Sequence, residues 1–295
     1  MKIVSGIRPS PRKILLYGVH GVGKSSWAAK APKPIFMNME DGLNDIDCDK
    51  TELIKTYSDF IGSLDWLMRN EHPYKCVVID TIDWLERAMF RDISRADGKQ
   101  SIVDVGGGYG KGEKKAVPKW EFVIEQLELL RSHRKMGVIL LAHACVEEEK
   151  DAIIGSYSKY APDINKHSRS ILEEWCDEIL FARFRIITAE EEAGFNQTRK
   201  LPKGNKERFI VTSGCAAASA KNRLKLPEEL PMDWNAYAAY LPKSKKVDKA
   251  EPFPVIPPVK ETPPGNIEGM VVDGSSKKKA VEETYDPAEL AQVFG

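Results

Sequence analysis

The chain has 295 residues, of which 42% are hydrophobic, and it carries 44 lysine and arginine residues against 44 aspartate and glutamate residues. This length suffices for one substantial α/β core with appendages, and the zero net charge excludes a protein that binds nucleic acid with a uniformly basic surface. The five scattered cysteines form no Cys-x-x-Cys pair, which argues against a disulfide framework and a zinc site.

No targeting or membrane segment is expected from the sequence. The first 13 residues lack the apolar region of a signal peptide, and no apolar run reaches membrane-spanning length. The cysteine pattern suits a reducing compartment. We therefore expect a cytoplasmic protein that has no membrane partner.

The segment at 13–29, KILLYGVHGVGKSSWAA, has the pattern strand, glycine loop, helix. It matches the phosphate-binding loop motif in full, which predicts binding of ATP with Mg²⁺. Lys24 is expected to reach the β- and γ-phosphates, and the Ser25 hydroxyl is expected to bind Mg²⁺. The predicted nucleotide-binding residues are Gly18, Val19, His20, Gly21, Val22, Gly23, Lys24, Ser25 and Ser26.

Further apolar segments predict additional buried strands, separated by helix-forming stretches. The predicted strands are PIFMNM at 34–39, a weaker candidate at 51–57, CVVID at 76–80 and GVILLAH at 137–143. Helical spacing of apolar residues predicts helices at 59–69 and 120–135. The fold class is therefore α/β, a P-loop NTPase with a mainly parallel sheet flanked by helices.

Polar residues follow these strands where a parallel sheet binds its ligands. Asp80 ends one strand and is predicted to hold the Mg²⁺ shell together with Ser25. His143 ends another and is a candidate sensor of the γ-phosphate. Thr81 stands where many P-loop ATPases have a glutamate, so Glu40 is the candidate for positioning the attacking water.

Two stretches predict irregular, functional loops. Residues 96–119 contain six glycines and five lysines without convincing periodicity, and a second irregular stretch is expected at 146–170. Lysines and an aromatic ring in such loops favour contact with single-stranded DNA, and a solvated flexible insertion is the alternative for the first loop. The candidate DNA-binding residues are Lys99, Tyr109, Lys111, Lys114, Lys115, Lys159, Lys166 and Arg169.

The segment at 199–225 is basic, with eight lysine and arginine residues and one acidic residue. Residues 173–186 predict the end of a helix followed by a strand. TRKLPKGNKERFIVTS then predicts a hairpin with its turn around Gly204 and Asn205. Lys221 and Arg223 lie two residues apart, so in an extended segment both point the same way and can clamp a phosphate.

From residue 243 to residue 295 the composition changes to prolines, a Lys-Lys-Lys run and few large apolar residues. This predicts a disordered tail, with a C-terminus that can form a short helix on a partner. The predicted domains are therefore an ATPase domain at 1–242 and a tail at 243–295.

FMNMEDGLNDID resembles the second core strand of the RecA recombinase family, which implies that Glu40 acts as catalytic base. AKNRLKLP resembles the RecA segment in which two cations, here Lys221 and Arg223, reach the neighbouring subunit's γ-phosphate. With the GGGYGKG loop and the strand ending at His143, where RecA has glutamine, the chain is similar to short RecA-like ATPases of bacteriophages, a Sak-type group of single-strand annealing proteins.

This resemblance implies an ATPase stimulated by single-stranded DNA that promotes annealing and homologous recombination in the host cytoplasm. It also implies a ring or filament with ATP between subunits, and a single-stranded-DNA-binding protein as a further partner. The implied catalytic residues are Lys24, Glu40, Asp80, His143, Lys221 and Arg223.

Other function classes stay open at this point. The neutral charge also suits a P-loop ATPase that acts on a protein, such as a helicase loader or a clock-type regulator. A binding module that uses ATP as a structural ligand is a further alternative. A small-molecule kinase is the least supported, because the sequence has no lid-like arginine cluster.

Overall fold

Apolar residues at consecutive positions give strands that are buried on both faces, as a parallel sheet between two helical layers requires. The structure, a computed structural model, describes residues 3, 6 and 9–242 except 152, 154, 193–197 and 216; at 151, 186–192 and 198–206 only the backbone is described. The predicted tail at 243–295 lies outside the described residues, so the tail and the domain boundary stay predictions.

The elements are numbered in chain order. The strands are β1 (Lys13–Gly18), β2 (Pro34–Asn38), β3 (Asp49–Lys50), β4 (Cys76–Asp80), β5 (Gly137–Asp151), β6 (Gly155–Pro162), β7 (Glu178–Glu192), β8 (Thr198–Val211), β9 (Lys221–Asn222) and β10 (Glu229–Pro231). The helices are α1 (Lys24–Ala28), α2 (Tyr57–Arg69), α3 (Ile82–Ala96), α4 (Lys111–Lys114), α5 (Val117–His133), α6 (Lys166–Trp175) and α7 (Trp234–Ala238), with a 3₁₀ segment at Ile102–Gly107.

The main path through the sheet has the order β10-β8-β7-β1-β5-β4-β2-β3. The strands from β7 to β3 in this order run parallel, and β8 and β10 add an antiparallel edge. Since β5 lies between β1 and β4, the strand ends at Gly18, Asp80 and Asn38 stand in a row with His143 at the carboxyl edge of the parallel sheet. The predicted strand end at His143 is wrong, because β5 continues to Asp151 and pairs there with β6. This topology positions the candidate site.

Alternate residues of the central strands supply two separate hydrophobic clusters, one on each face of the sheet. In β1, Leu15 and Tyr17 belong to the cluster that contains residues of α2, α3, α5 and α6. Ile14 and Leu16 belong to the other cluster, which contains residues of α1 and α7. The α/β fold with a mostly parallel sheet flanked by helices is therefore confirmed.

The predicted strand at 51–57 is wrong. Only Asp49 and Lys50 pair with β2. Thr56 is the N-cap of α2, and its side chain accepts a hydrogen bond from the Asp59 N–H at 3.1 Å. A threonine three residues before an acid signals a helix start, and this capping interaction outweighs the β-propensity of the stretch.

Two segments predicted to be irregular are ordered. Residues 96–119 contain the 3₁₀ segment and α4. These two elements pack closely at Gly112, where a Cβ would lie 2.0 Å from the Ile102 carbonyl oxygen. Residues 146–170 contain the end of β5, the whole of β6 and the start of α6; β5 and β6 form an antiparallel hairpin.

The hairpin predicted within the basic segment at 198–213 is wrong, because Thr198–Val211 forms the single strand β8, which pairs antiparallel with the preceding strand β7. Gly204 lies within β8 and pairs with Ile186 of β7. The pairing of β7 with β8 extends to Glu192 opposite Thr198, so β7 is longer than its apolar residues indicate. Among the described residues, no helix has the length and apolar character needed to cross a membrane.

Candidate active site

The phosphate loop joins β1 to α1 at the carboxyl edge of the sheet. Gly21 and Gly23 adopt φ values of +71° and +98°, a left-handed conformation that side chains disfavour. Gly18 packs so tightly on β7 that a Cβ would lie 2.3 Å from the Ala182 carbonyl oxygen. The loop therefore requires these glycines, and such backbone turns cradle anions with their N–H groups.

Lys24 directs its ammonium group into this loop. Its Nζ donates hydrogen bonds to the carbonyl oxygens of Gly18 at 3.0 Å and Val19 at 3.3 Å. Burial lowers the pKa of Lys24, and the nearby carboxylates of Asp80 and Asp83 oppose this shift. A buried cation at the loop provides the charge that a triphosphate needs.

Asp80 and Ser25 form the candidate Mg²⁺ site. The Asp80 carboxylate accepts a hydrogen bond from the Ser25 side chain, and burial raises the pKa of Asp80 to about 6. Asn38 pairs in register with Asp80 on the next strand, and its buried Oδ1 has no hydrogen-bond partner among the described groups. This set of hydroxyl, carboxylate and amide oxygens fits the ligand preference of Mg²⁺.

Glu40 lies directly beyond β2, next to the end of β4 and to His143 of β5. The Thr81 hydroxyl donates a hydrogen bond to Glu40 Oε2 at 3.2 Å, and His143 Nδ1 lies 3.9 Å from the same oxygen. The Glu40 side chain is 28% exposed, so water reaches it. The structure thus brings the predicted base close to the predicted sensor.

His143 is held by Asp83, the second residue of α3. The Asp83 carboxylate accepts hydrogen bonds from the backbone N–H of His143 at 3.2 Å and from its Nδ1 at 2.9 Å. The hydrogen bond to Asp83 raises the pKa of His143. The His143 ring also stacks on His20 of the phosphate loop, with ring centroids 4.1 Å apart. The imidazole therefore joins the loop to α3.

The same histidine stands at the base of the β5–β6 hairpin. Pairing of the two strands begins with Ala144 opposite Pro162, directly after His143. The Asp163 N–H closes the hairpin by donating a hydrogen bond to the His143 carbonyl oxygen at 2.9 Å. His143 therefore connects the site to this hairpin through the backbone.

Lys221 and Arg223 lie at the opposite, amino-terminal edge of the parallel strands. Lys221 pairs with Ile179 near the start of β7, and its Nζ donates to the carbonyl oxygens of Glu173 and Glu174. Arg223 Nη1 lies 3.1 Å from Asp177 Oδ1. The structure therefore does not bring these two cations to the phosphate loop of the same chain.

The candidate DNA-binding residues fall into different environments. Tyr109 is 98% exposed, and Lys99, Lys111, Lys114 and Lys166 are exposed as well. Lys115 forms an ion pair with Asp97 at 2.8 Å, and Lys159 forms one with Glu149 at 2.5 Å. Arg169 is buried against Glu147, at 2.5 Å, so it does not present a free cation to DNA.

Sequence reasoning missed three residues that the structure places in the site. Asp83 follows the second-motif aspartate by three residues, a spacing that reaches the first turn of the next helix. Thr81 contacts Glu40, as described above. Arg208 of β8 lies against the phosphate loop: its Nη1 is 3.4 Å from the Val22 carbonyl oxygen and would lie 2.7 Å from a Cβ at Gly23. No local sequence signal identifies Arg208.

Comparison with known proteins gives similarities over parts of the chain. The chain is similar over part of its length to the SPbeta prophage-derived uncharacterized protein YorG of Bacillus subtilis (strain 168), with 23% identity over 140 residues, 46% of this chain and 42% of that protein. The match thus spans less than half of that relative. A crystal structure of the RadB recombinase aligns with a TM-score of 0.39 and 13% identity, over 68% of this chain and 80% of that chain.

A protein-family model described as "AAA domain" matches residues 10–224. The matched region runs from just before β1 to just after β9 and contains every residue of the candidate active site. The chain belongs to this AAA domain family.

Proposed function

We propose that this protein is a RecA-like ATPase that binds single-stranded DNA and promotes annealing of complementary strands. The observation that carries the proposal is His143, which contacts the catalytic cluster through its side chain and starts the β5–β6 hairpin through its backbone. The AAA domain match supports nucleotide binding. A phage origin is proposed from the prophage-derived relative.

In the proposed reaction the phosphate loop and Lys24 bind the triphosphate. Ser25 and Asp80 hold Mg²⁺, which neutralises charge on the phosphates when bound. Glu40 orients a water and accepts its proton, and Thr81 keeps the Glu40 carboxylate in place through its hydrogen bond. Asp83 fixes His143 beside Glu40, so that loss of the γ-phosphate alters the contacts of the imidazole.

Assembly completes the proposed site. Lys221 and Arg223 cannot reach the loop of their own chain from the amino-terminal edge of the sheet, so we assign them to the γ-phosphate of a neighbouring subunit, where they act as arginine fingers do. This requires a ring or filament with ATP at the subunit interfaces. A single-stranded-DNA-binding protein is the proposed further partner in recombination.

The DNA contact is proposed at the exposed lysines of the segment before α5. Lys111 and Lys114 of α4 project from the surface next to Tyr109, which offers a ring for base stacking. Anisotropy of a labelled oligothymidine, measured at several salt concentrations with and without ATP, tests this proposal. We expect binding that weakens steeply with salt, because phosphate contacts release counterions.

The β5–β6 hairpin favours a second candidate, an ATPase that acts on a protein partner. Residues 144–162 contain four acidic residues, at 147, 148, 149 and 151, against two lysines, at 150 and 159. Val146 on this hairpin is 61% exposed. An acidic surface with exposed apolar side chains suits a basic protein better than a phosphate backbone. Absence of salt-dependent DNA binding would favour this candidate.

A further inference from the structure

A groove opens beside the candidate catalytic carboxylate, on the face of the molecule formed by α2 and α3. It encloses about 460 Å³. Its lining includes Glu40, Tyr57, Trp84, Arg91 and Arg95. The groove therefore places the proposed base of ATP hydrolysis beside basic and aromatic side chains, and its lining also includes Asp41, Asp92 and apolar residues.

The exposed face of α3 forms one wall of this groove. Trp84, Arg87, Arg91 and Arg95 follow each other at spacings of three or four residues, which places them on one side of a helix. All four side chains are exposed, so they are not part of the apolar face that α3 packs against the core. The helix thus carries a stripe of three guanidinium groups and an indole.

The contacts of these side chains leave their charges available. The Arg87 guanidinium carbon lies 5.0 Å from the centre of the Trp84 ring, so one cation covers one face of the indole. Arg91 Nη2 donates a hydrogen bond to the Lys55 carbonyl oxygen at 3.1 Å, which holds its guanidinium at the groove without neutralising it. Within the described part of the chain, none of the three arginines forms an ion pair with an acidic side chain.

The opposite wall adds a second aromatic residue, next to a lysine that is paired with Asp92. Lys119 Nζ lies 4.3 Å from the centre of the Tyr57 ring. The same Nζ lies 2.5 Å from Asp92 Oδ2, so the acidic side chain on this side of α3 is already paired. Cations with interleaved aromatic rings are the arrangement that binds the backbone and bases of a single strand.

We propose that this groove binds single-stranded nucleic acid, with phosphates on Arg87, Arg91 and Arg95 and a base stacked on Trp84. The inference rests on the proposed function and gives it a binding surface distinct from the lysines of α4. Since α3 begins directly after Asp80 and Thr81 and Glu40 lines the groove, a bound strand lies close enough to affect the water-positioning carboxylate.

The test is anisotropy of a fluorescein-labelled oligothymidine over a range of salt concentrations. For Arg91→Ala/Arg95→Ala we expect weaker binding and a salt slope that is shallower by about 1.4, because each phosphate contact on a single strand contributes about 0.7. For Trp84→Ala we expect an affinity loss of about tenfold with an unchanged slope, because a stacked base releases no counterions.

Matched controls separate the groove from a general loss of charge or of folding. Arg69→Ala/Arg131→Ala removes two ion-paired arginines near the C-terminal ends of α2 and α5, and its binding should equal that of the wild type. Arg91→Lys/Arg95→Lys keeps both charges and should keep the wild-type slope. Thermal melting of each variant verifies the fold.

The outcomes distinguish the two levels of the proposal. Weaker binding in the groove variants with the expected slopes supports the groove. Wild-type protein that binds the oligonucleotide while the groove variants bind as tightly as the control overturns the groove and leaves the proposed function intact. Wild-type protein without salt-dependent binding overturns both.

Discussion

Charged side chains cluster at both edges of the parallel sheet, and the two clusters differ in how the charges are paired. At the amino-terminal edge, Arg12 forms ion pairs with Asp177 and with Glu178, and Glu178 also accepts a hydrogen bond from the Tyr237 hydroxyl at 3.2 Å. At the carboxyl edge, carboxylates of Glu40, Asp80 and Asp83 surround one lysine.

We infer that this difference separates charges that stabilise the fold from charges that serve nucleotide binding and hydrolysis. A buried charge with complete partners costs little, whereas incompletely neutralised buried charge destabilises the folded state. Burial raises the pKa of Asp80 and also that of Glu178, so the two edges differ in their ion pairs and not in this shift. Glu178 is paired with Arg12, whereas no ion pair of Asp80 is found among the described residues, and we infer that the carboxyl edge is less stable because it binds phosphate and metal.

The largest expected effect comes from two cations of the amino-terminal edge that are proposed to act at the carboxyl edge of a neighbouring subunit. Lys221→Ala/Arg223→Ala should lower kcat for ATP about 10³-fold if these cations of the amino-terminal edge act in a neighbouring subunit. Mixing this variant with Lys24→Ala should restore part of the activity, because some interfaces then combine an intact loop with intact cations. Full activity of the double variant, or no recovery on mixing, would contradict assembly through these residues.

Arg12→Ala tests the stabilising role of the amino-terminal edge. Removing the guanidinium leaves Glu178 charged and fully buried, so the free energy of unfolding should fall by about 3–5 kcal/mol. Denaturant unfolding measures this change. The exposed pair of Arg69 with Asp65 is the control, and Arg69→Ala should cost at most about 1 kcal/mol. Equal losses of unfolding free energy in the two variants would contradict a stabilising role of the buried pair at the amino-terminal edge.

Glu40→Gln tests catalysis at the carboxyl edge. The amide keeps the size of the side chain and cannot accept a proton from water, so kcat should fall about 100-fold or more while ATP still binds. Steady-state hydrolysis and equilibrium binding of ATP measure the two quantities. Glu52→Gln, an exposed substitution away from the cluster, serves as control. A variant with wild-type turnover would favour ATP as a purely structural ligand.

Asp83→Asn tests the positioning of His143. The substitution removes one charge-assisted hydrogen bond, which is worth about 1.5–3 kcal/mol, so kcat should fall about tenfold or more. The pKa of His143, measured by NMR titration, should fall because the hydrogen bond to Asp83 raises it. An unchanged imidazole pKa together with unchanged kcat would show that Asp83 has no positioning role.

Asp80→Asn should stabilise the protein at neutral pH. The folded-state pKa of about 6 exceeds the ordinary value of 3.8, so burial of the carboxylate opposes folding at neutral pH, and this cost declines as the pH falls below 6 and is lost below 3.8. We expect about 3 kcal/mol of added stability at pH 7.5 and less at pH 5. A variant less stable than the wild type at both pH values would contradict the proposed cost.

Local pattern in the sequence was enough to predict the central sheet and the phosphate loop. Continuous apolar runs specify strands buried on both faces, and the glycine spacing specifies a loop whose backbone needs positive φ at Gly21 and Gly23. The end of β4 at Asp80 and the position of His143 directly after an apolar run followed from the same pattern, which is why their meeting at one edge could be expected, although β5 continues beyond His143.

The rest depends on contacts between residues distant in sequence. The β5–β6 hairpin is formed by cross-strand pairing of polar residues. Its sequence has no regular alternation of apolar residues, so it was predicted to be irregular. Asp83 is significant because the strand order brings β5 beside β4, which no local pattern reveals. Arg208 reaches the loop from a strand 185 residues after Gly23, through β7 and β8 pairing.

The central claim is that nucleotide hydrolysis at the carboxyl edge is coupled to a bound single strand. Steady-state ATP hydrolysis with and without single-stranded DNA, with Lys24→Ala as the control, tests it most directly. The account predicts turnover that single strands increase and that Lys24→Ala abolishes. Turnover that is indifferent to DNA would contradict the coupling, and turnover that survives in Lys24→Ala would contradict the site.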